Sequence, residues 1–240
     1  DGTVEVQKIL SCVYRTGQGF GASVVTLQEA PPTPRIAHQV AAFVGPAAGV
    51  APIAGLSGTI TLAGGVDLNA PSVNEATVGD VSIGVGVVNI DLAKPTMTAG
   101  GTTRTHVGGN YTINATGVSG EANATNSAGS DAVPISINLV EVSEVTTEVR
   151  TTHETEAFVS RDADFTLNGG GIELDAVSRN EATLDGVDLG VSLVGIGTLK
   201  PVVETAGATR AFVEEGGNLR AGSLSLEAAS ANDATLDSVN

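Results

Sequence analysis

Three histidines, one cysteine and 27 acidic residues are the side chains here that could carry chemistry, and their spacing limits what they can do. His38, His106 and His153 stand far apart in sequence, and HETEA, from His153, lacks the second histidine of a zinc-protease helix. NGGGIELDA, residues 168–176, follows the outline of a Ca²⁺-binding nonapeptide turn, but Ile172 and Leu174 take the places of the required Gly and Asp. Glu75, Glu181 and Asp233 recur singly at long intervals. That is a row of carboxylates rather than the acid–base pair that sugar cleavage needs. Cys12 is alone, so no intrachain disulfide forms and a single buried thiol is expected. Catalytic, cofactor-binding and metal residues are therefore expected to be none, with weakly held surface Ca²⁺ as the one cofactor the acidic surface admits.

Composition points away from several partners. The formal net charge is −16, a field that repels phosphate backbones, so nucleic acid is not an expected ligand. From Ile36 to Val66 there is no charged residue, a stretch long enough to cross a bilayer. Pro46, Pro52 and several glycines interrupt it, so no membrane span is expected. Asn110, Asn114 and Asn123 open N-glycosylation sequons, which permit modification without indicating it. No leader pattern opens the sequence, and any targeting signal is expected to have been removed or to lie outside it. Aromatics are 3 % of residues, Trp is absent, and Gly, Val, Ala, Thr and Ser dominate. This is a vocabulary of strands and turns packed in regular rows.

The regularity is visible along the chain. APSVNEAT, ANATNSAG, AVSRNEAT and AASANDAT align on Asn74, Asn126, Asn180 and Asn232, which are 52, 54 and 52 residues apart. Small residues alternate with variable ones on either side of each asparagine, as in a strand with one face turned inward. A second strand signal follows, Val81 to Val87, Val133 to Leu139 and Val187 to Leu193. Its apolar parity switches at Val87-Val88, Leu139-Val140 and Leu193-Val194, which marks a bulge or corner. A third column is Phe43, His106, Phe158 and Phe212; a position that takes Phe three times is a packing position, not a metal ligand. Its first interval is about ten residues too long, and the surplus falls in residues 45–55, which this spacing predicts to be a loop insertion.

Periods of this size with period-2 strands and no 3.6 period predict an all-β fold, a parallel β-solenoid of four to five repeats over residues 1–240. Each repeat is expected to make two rungs of about 26 residues, in strands of 6 to 10 residues. Asn74, Asn126, Asn180 and Asn232 are expected to form a structural ladder, their amides bonding along the stack. The sequence begins and ends inside a unit, as a window of a longer array would.

AGGVDLNA and NGGGIELDA leading into A-x-S-x-N-x-A, then GVGVV or GVSLV, resemble the repeat arrays of giant bacterial surface proteins related to filamentous-haemagglutinin-like adhesins. The likeness covers about four units, and the first departs from it, with SCVY where others have NEAT. It implies a secreted, surface-displayed or filament-forming β-solenoid and carries over no catalytic residue. The expected role is that of a structural, extracellular or cell-surface fibrous protein, a stalk or shaft and not an enzyme. Its partner would be itself, end to end through uncapped strand edges. The alternative is a module that binds surface carbohydrate or host protein through Pro46, Val50, Pro52 and Ile53 of the insertion. A polysaccharide-degrading enzyme is the third reading.

Overall fold

The computed structural model describes the backbone of residues 2–5, 8–15, 19–27, 33–46, 57–93, 96–186 and 189–237. Within these residues the chain is all strand and turn, with no helix. The strands are β1 (Gly2–Glu5), β2 (Lys8–Arg15), β3 (Gly19–Leu27), β4 (Arg35–Val44), β5 (Gly58–Thr61), β6 (Val66–Ala93), β7 (Thr96–Gly108) and β8 (Tyr111–Ala115). They continue as β9 (Val118–Val145), β10 (Glu148–Ser160), β11 (Asp164–Leu167), β12 (Gly171–Gly186), β13 (Leu189–Leu199), β14 (Val202–Val213), β15 (Asn218–Arg220) and β16 (Ser223–Asp237).

Three stacked parallel sheets collect them. The long sheet runs β1-β6-β9-β12-β16, with β2 and β3 also on β6 and β13 on β9; the second is β4-β7-β10-β14, the third β5-β8-β11-β15. Each repeat thus crosses the three sheets once, in the order long, second, third, and forms one tier. Tier 1 is β1–β5, tier 2 β6–β8, tier 3 β9–β11, tier 4 β12–β15, and β16 opens tier 5.

The register corrects the expected two rungs per repeat. Asn74 pairs with Asn126, a step of 52, whereas a 26-residue rung would set it beside Gly100, which instead pairs with Thr152 and Ala37. The two halves of a repeat differ in sequence, so like side chains meet only after a whole repeat. Strand lengths differ from expectation for a related reason: β6 and β9 each run 28 residues, because pairing continues around their bends. The ladder skips one pair at Val87 and Leu139, and again between β13 and β9 at Leu193. This is where the apolar parity switches, and Val87, Leu139 and Leu193 stand outward there, 43 %, 49 % and 82 % exposed. Side chains of residues 80–85 and their counterparts lie outside the described part, as does that of Cys12.

Two further registers concern tier 1. Leu10-Ser11-Cys12-Val13, and not SCVY, lies opposite Asn74-Glu75-Ala76-Thr77, so the tier enters one residue earlier than the motif suggested. Between Val44 and Gly58 lie 13 residues where Val107 to Tyr111 encloses 3. The extra ten residues therefore fall in chain order between the second-sheet and third-sheet strands, and residues 47–56 of the expected insertion lie outside the described residues. In later tiers the turn between those strands carries Asn110 (φ 59°), Asp162 (φ 57°) and Gly216 (φ 94°), residue types that tolerate the left-handed region.

Inside each tier the long strand faces the second-sheet strand, and two apolar clusters form. One gathers Val66, Leu68 and Ala70 and their counterparts with Val107, Val159, Ile113 and Phe165. The other gathers Ala76, Val78, Leu184, Met97, Ala99 and Val149. Between them, on both strands, the buried side chains are polar: Ser72 and Asn74 on one side, Thr103, Thr155 and His153 on the other.

Candidate functional site

The polar seam between the two clusters is the site with the most chemistry. Its backbone is the asparagine column, brought into register by the long sheet: Asn74 Nδ2 donates to Asn126 Oδ1, Asn126 Nδ2 to Asn180 Oδ1 at 2.7 Å, and Asn180 Nδ2 to Asn232 Oδ1 at 2.7 Å. Asn126 and Asn180 thus each donate to the next tier and accept from the previous one. Asn74 Oδ1 lies at the start of the chain of bonds, where the tier 1 counterpart is Leu10, and among the described residues it has no donor.

Beside the asparagines, Ser of the long sheet and Thr of the second sheet pair across the interior at a constant sequence offset of 31. Ser72 Oγ lies 2.6 Å from Thr103 Oγ1, and Ser178 Oγ lies 2.7 Å from Thr209 Oγ1. Tier 3 breaks the pattern: Ala124 stands where serine would, and Thr155 Oγ1 is buried with no partner among the described residues.

The histidines correct the sequence reading. His38 and His153 are not isolated; they occupy one column of the second sheet, in which His38, Gly101, His153 and Gly207 succeed one another. Both glycines have φ in the range that favours glycine, +127° and +152°, and a Cβ on either would lie 2.1 Å from the carbonyl oxygen of the histidine before it. The absent side chains let the backbone pass close to that of each histidine. Spacings of 63, 52 and 54 residues, the same as in the aromatic column, were the available signal, hidden because the column alternates its residue type.

His106 belongs to a different column, on the outer parity of the second sheet. It is stacked between Phe43 and Phe158 at ring-centroid distances of 5.0 and 4.9 Å, and Phe158 stacks on Phe212 at 4.9 Å, all within 10° of parallel. Its Nε2–H donates to the Pro46 carbonyl at 2.9 Å, so the ring fastens the first residues of the insertion. Burial lowers its pKa below the ordinary value, Arg104 lowers it further, and the Pro46 carbonyl and Glu214 oppose this. Of the candidate contact residues, Pro46 is placed by this bond, whereas Val50, Pro52 and Ile53 lie outside the described residues.

Beside the aromatic column runs a charged one. Arg104 Nε donates to Glu156 Oε2 at 2.6 Å, Arg104 Nη2 to Glu154 Oε2 at 3.1 Å, and Arg210 Nη1 to Glu156 Oε1 at 3.3 Å, linking tiers 2, 3 and 4. The recurring carboxylates Glu75, Glu181 and Asp233 are set in one outward column of the long sheet, with Ser127 between the first two. Among the described residues no group of three or more His, Cys, Asp or Glu side chains is placed to hold a metal ion. No helix of the described residues is long and apolar enough to cross a membrane.

A likeness to the RQC domain family covers residues 1–26. That stretch is about a tenth of the chain and falls on β1–β3, which pair with β6. No curated protein and no solved structure matches the chain.

Proposed function

We propose that the tiers close into successive coils of a parallel β-solenoid, and that the chain is a shaft segment of an extracellular or cell-surface fibrous protein and not an enzyme. The observation that carries this reading is the direction of the bonds. The asparagine amides, the aromatic rings and the Arg104–Glu156–Arg210 chain all join one tier to the next along a single axis. At about 4.8 Å per tier, five tiers extend about 20 Å, so an array of such repeats makes a thin rod. The adhesin-like motifs support a secreted or surface-displayed setting. The outer edges of β14, β15 and β16 carry no strand among the described residues, and such edges accept a further tier, from the same chain or from a second copy end to end.

A second reading, contact with surface carbohydrate or host protein through residues 45–55, is favoured by the bond that ties Pro46 to His106 at the root of the insertion. Electron microscopy of the native protein tests the first reading. Rods whose power spectra show a meridional spacing near ~4.8 Å support it, and separate globular particles without that spacing overturn it. Deleting residues 45–55 tests the second, since surface binding that survives the deletion excludes the loop.

A further inference from the structure

Buried imidazoles are an odd filling for a rod, since Val or Thr would occupy the space with no proton to gain. His153 is 1 % exposed. Its Nε2 lies 2.8 Å from Thr103 Oγ1 in the preceding tier, and its Nδ1 lies 3.4 Å from Asn74 Nδ2. An amide nitrogen only donates, so Nδ1 is the bare acceptor and Nε2 carries the hydrogen. The neutral ring thus completes a chain across the interior, from Ser72 through Thr103 and His153 to Asn74, where the amide ladder begins.

A proton on Nδ1 turns that acceptor into a donor facing a donor. Asn74 can answer by turning its amide over, but Oδ1 then points at Asn126 Oδ1. The reversal must pass through Asn126 and Asn180 to Asn232, or the ladder must part. The Gly100 carbonyl, which favours the charge, is outweighed by burial, and among the described residues no carboxylate acts on the ring. From the long sheet it is faced by the neutral Asn74, and from the second sheet by Thr103, the Gly100 carbonyl and, in its own column, His38, whose charge opposes a second one. Glu154 and Glu156 lie on the outer side of β10, bound to Arg104 and Arg210.

We propose that His153 is a proton-operated lock: neutral, it joins the long and second sheets across tiers 2 and 3, and protonated, it reverses or parts the asparagine ladder and loosens those tiers. The lock goes beyond the shaft reading and does not require it. Burial, reinforced by His38 and opposed by the Gly100 carbonyl, lowers the His153 pKa from 6.5 to about 4. The unfolded chain therefore takes the proton first. Stability is complete above about pH 6.5 and falls as pH drops towards 4.

The test is chemical denaturation of the full chain between pH 8 and pH 4, for the wild type, His153→Gln and His106→Phe. The wild-type folding equilibrium is expected to weaken by roughly two orders of magnitude between pH 7 and pH 4. His106→Phe keeps most of that fall, and His153→Gln loses most of the part above about pH 5. Parallel profiles for the wild type and His153→Gln overturn the proposal. Should the glutamine variant fail to fold, NMR of wild-type protein labelled with ¹⁵N decides. A His153 ring that stays neutral well below its ordinary range, with Asn74 and Asn126 amide signals moving as it titrates, supports the lock. Titration at the ordinary value with those amides unmoved overturns it. A flat pH profile leaves the rod intact, and globular particles in the microscope leave the lock intact.

Discussion

Across the tiers the columns of large apolar side chains and the asparagine column keep different rules of substitution. At the ends the column Val66, Val118, Ile172, Leu224 changes its side chain, as do Ile60, Ile113, Phe165, Leu219 and Met97, Val149, Val203. In the middle, Asn74, Asn126, Asn180 and Asn232 do not change from tier 2 to tier 5, and only tier 1, with Leu10, departs. Apolar burial is non-directional and scales with area, so neighbouring tiers can trade a methyl for a ring. A hydrogen bond needs its atoms at one distance and angle, so a ladder of amides accepts no such trade. The middle therefore sets the register of the stack, and the ends supply most of the hydrophobic stabilisation.

The sharpest way to break this contrast is Asn126→Leu beside Ile113→Val. The first removes two hydrogen bonds and strands the Asn74 donor and the Asn180 acceptor, and is expected to cost about 3–5 kcal/mol in chemical denaturation. The second removes one methyl from a column that already tolerates Phe, and should cost about 1 kcal/mol. Equal costs would erase the distinction between middle and ends.

Gly101→Ala probes the histidine column next to the asparagines. Its φ of +127° and the His38 carbonyl 2.1 Å from the new Cβ predict a loss of about 2–4 kcal/mol. Gly169→Ala, also at positive φ but with no atom within 4 Å of its Cβ, should lose only about 1 kcal/mol. A thermal melt of both variants that ranked them the other way would show that the column is not closely packed.

On the outer face, Glu156→Gln weakens the bonds to Arg104 and Arg210. Its expected cost is about 1–2 kcal/mol, smaller than the seam variants because both arginines are partly exposed, and it should shrink in added salt. Equal loss at low and high salt would mean that packing, not charge, holds Glu156. The smallest effect has the opposite sign. Ala124→Ser restores the partner that Thr155 lacks and should stabilise by about 1 kcal/mol, read as a higher denaturation midpoint with unchanged slope.

Much of this architecture was legible from residue types alone. The period, the inward parity around each asparagine, the bend near Val87, Leu139 and Leu193 and the ten-residue excess after Val44 all show in the chain. They are properties of one strand at a time, and alternation along a strand is written directly in the order of side chains. The seam was only half legible. The asparagines announced themselves by identity, whereas His38 and His153 share a column with two glycines and so looked unrelated.

What the sequence determined by itself was therefore the repeat and the face each residue turns inward, because these follow from chain order and side-chain size. Tertiary structure decided that a whole repeat makes one tier, that Ser72 meets Thr103, and that His153 reaches Asn74 across the interior. Those contacts depend on which strand lies across the interior from which, a relation between segments that no periodicity along a single segment encodes.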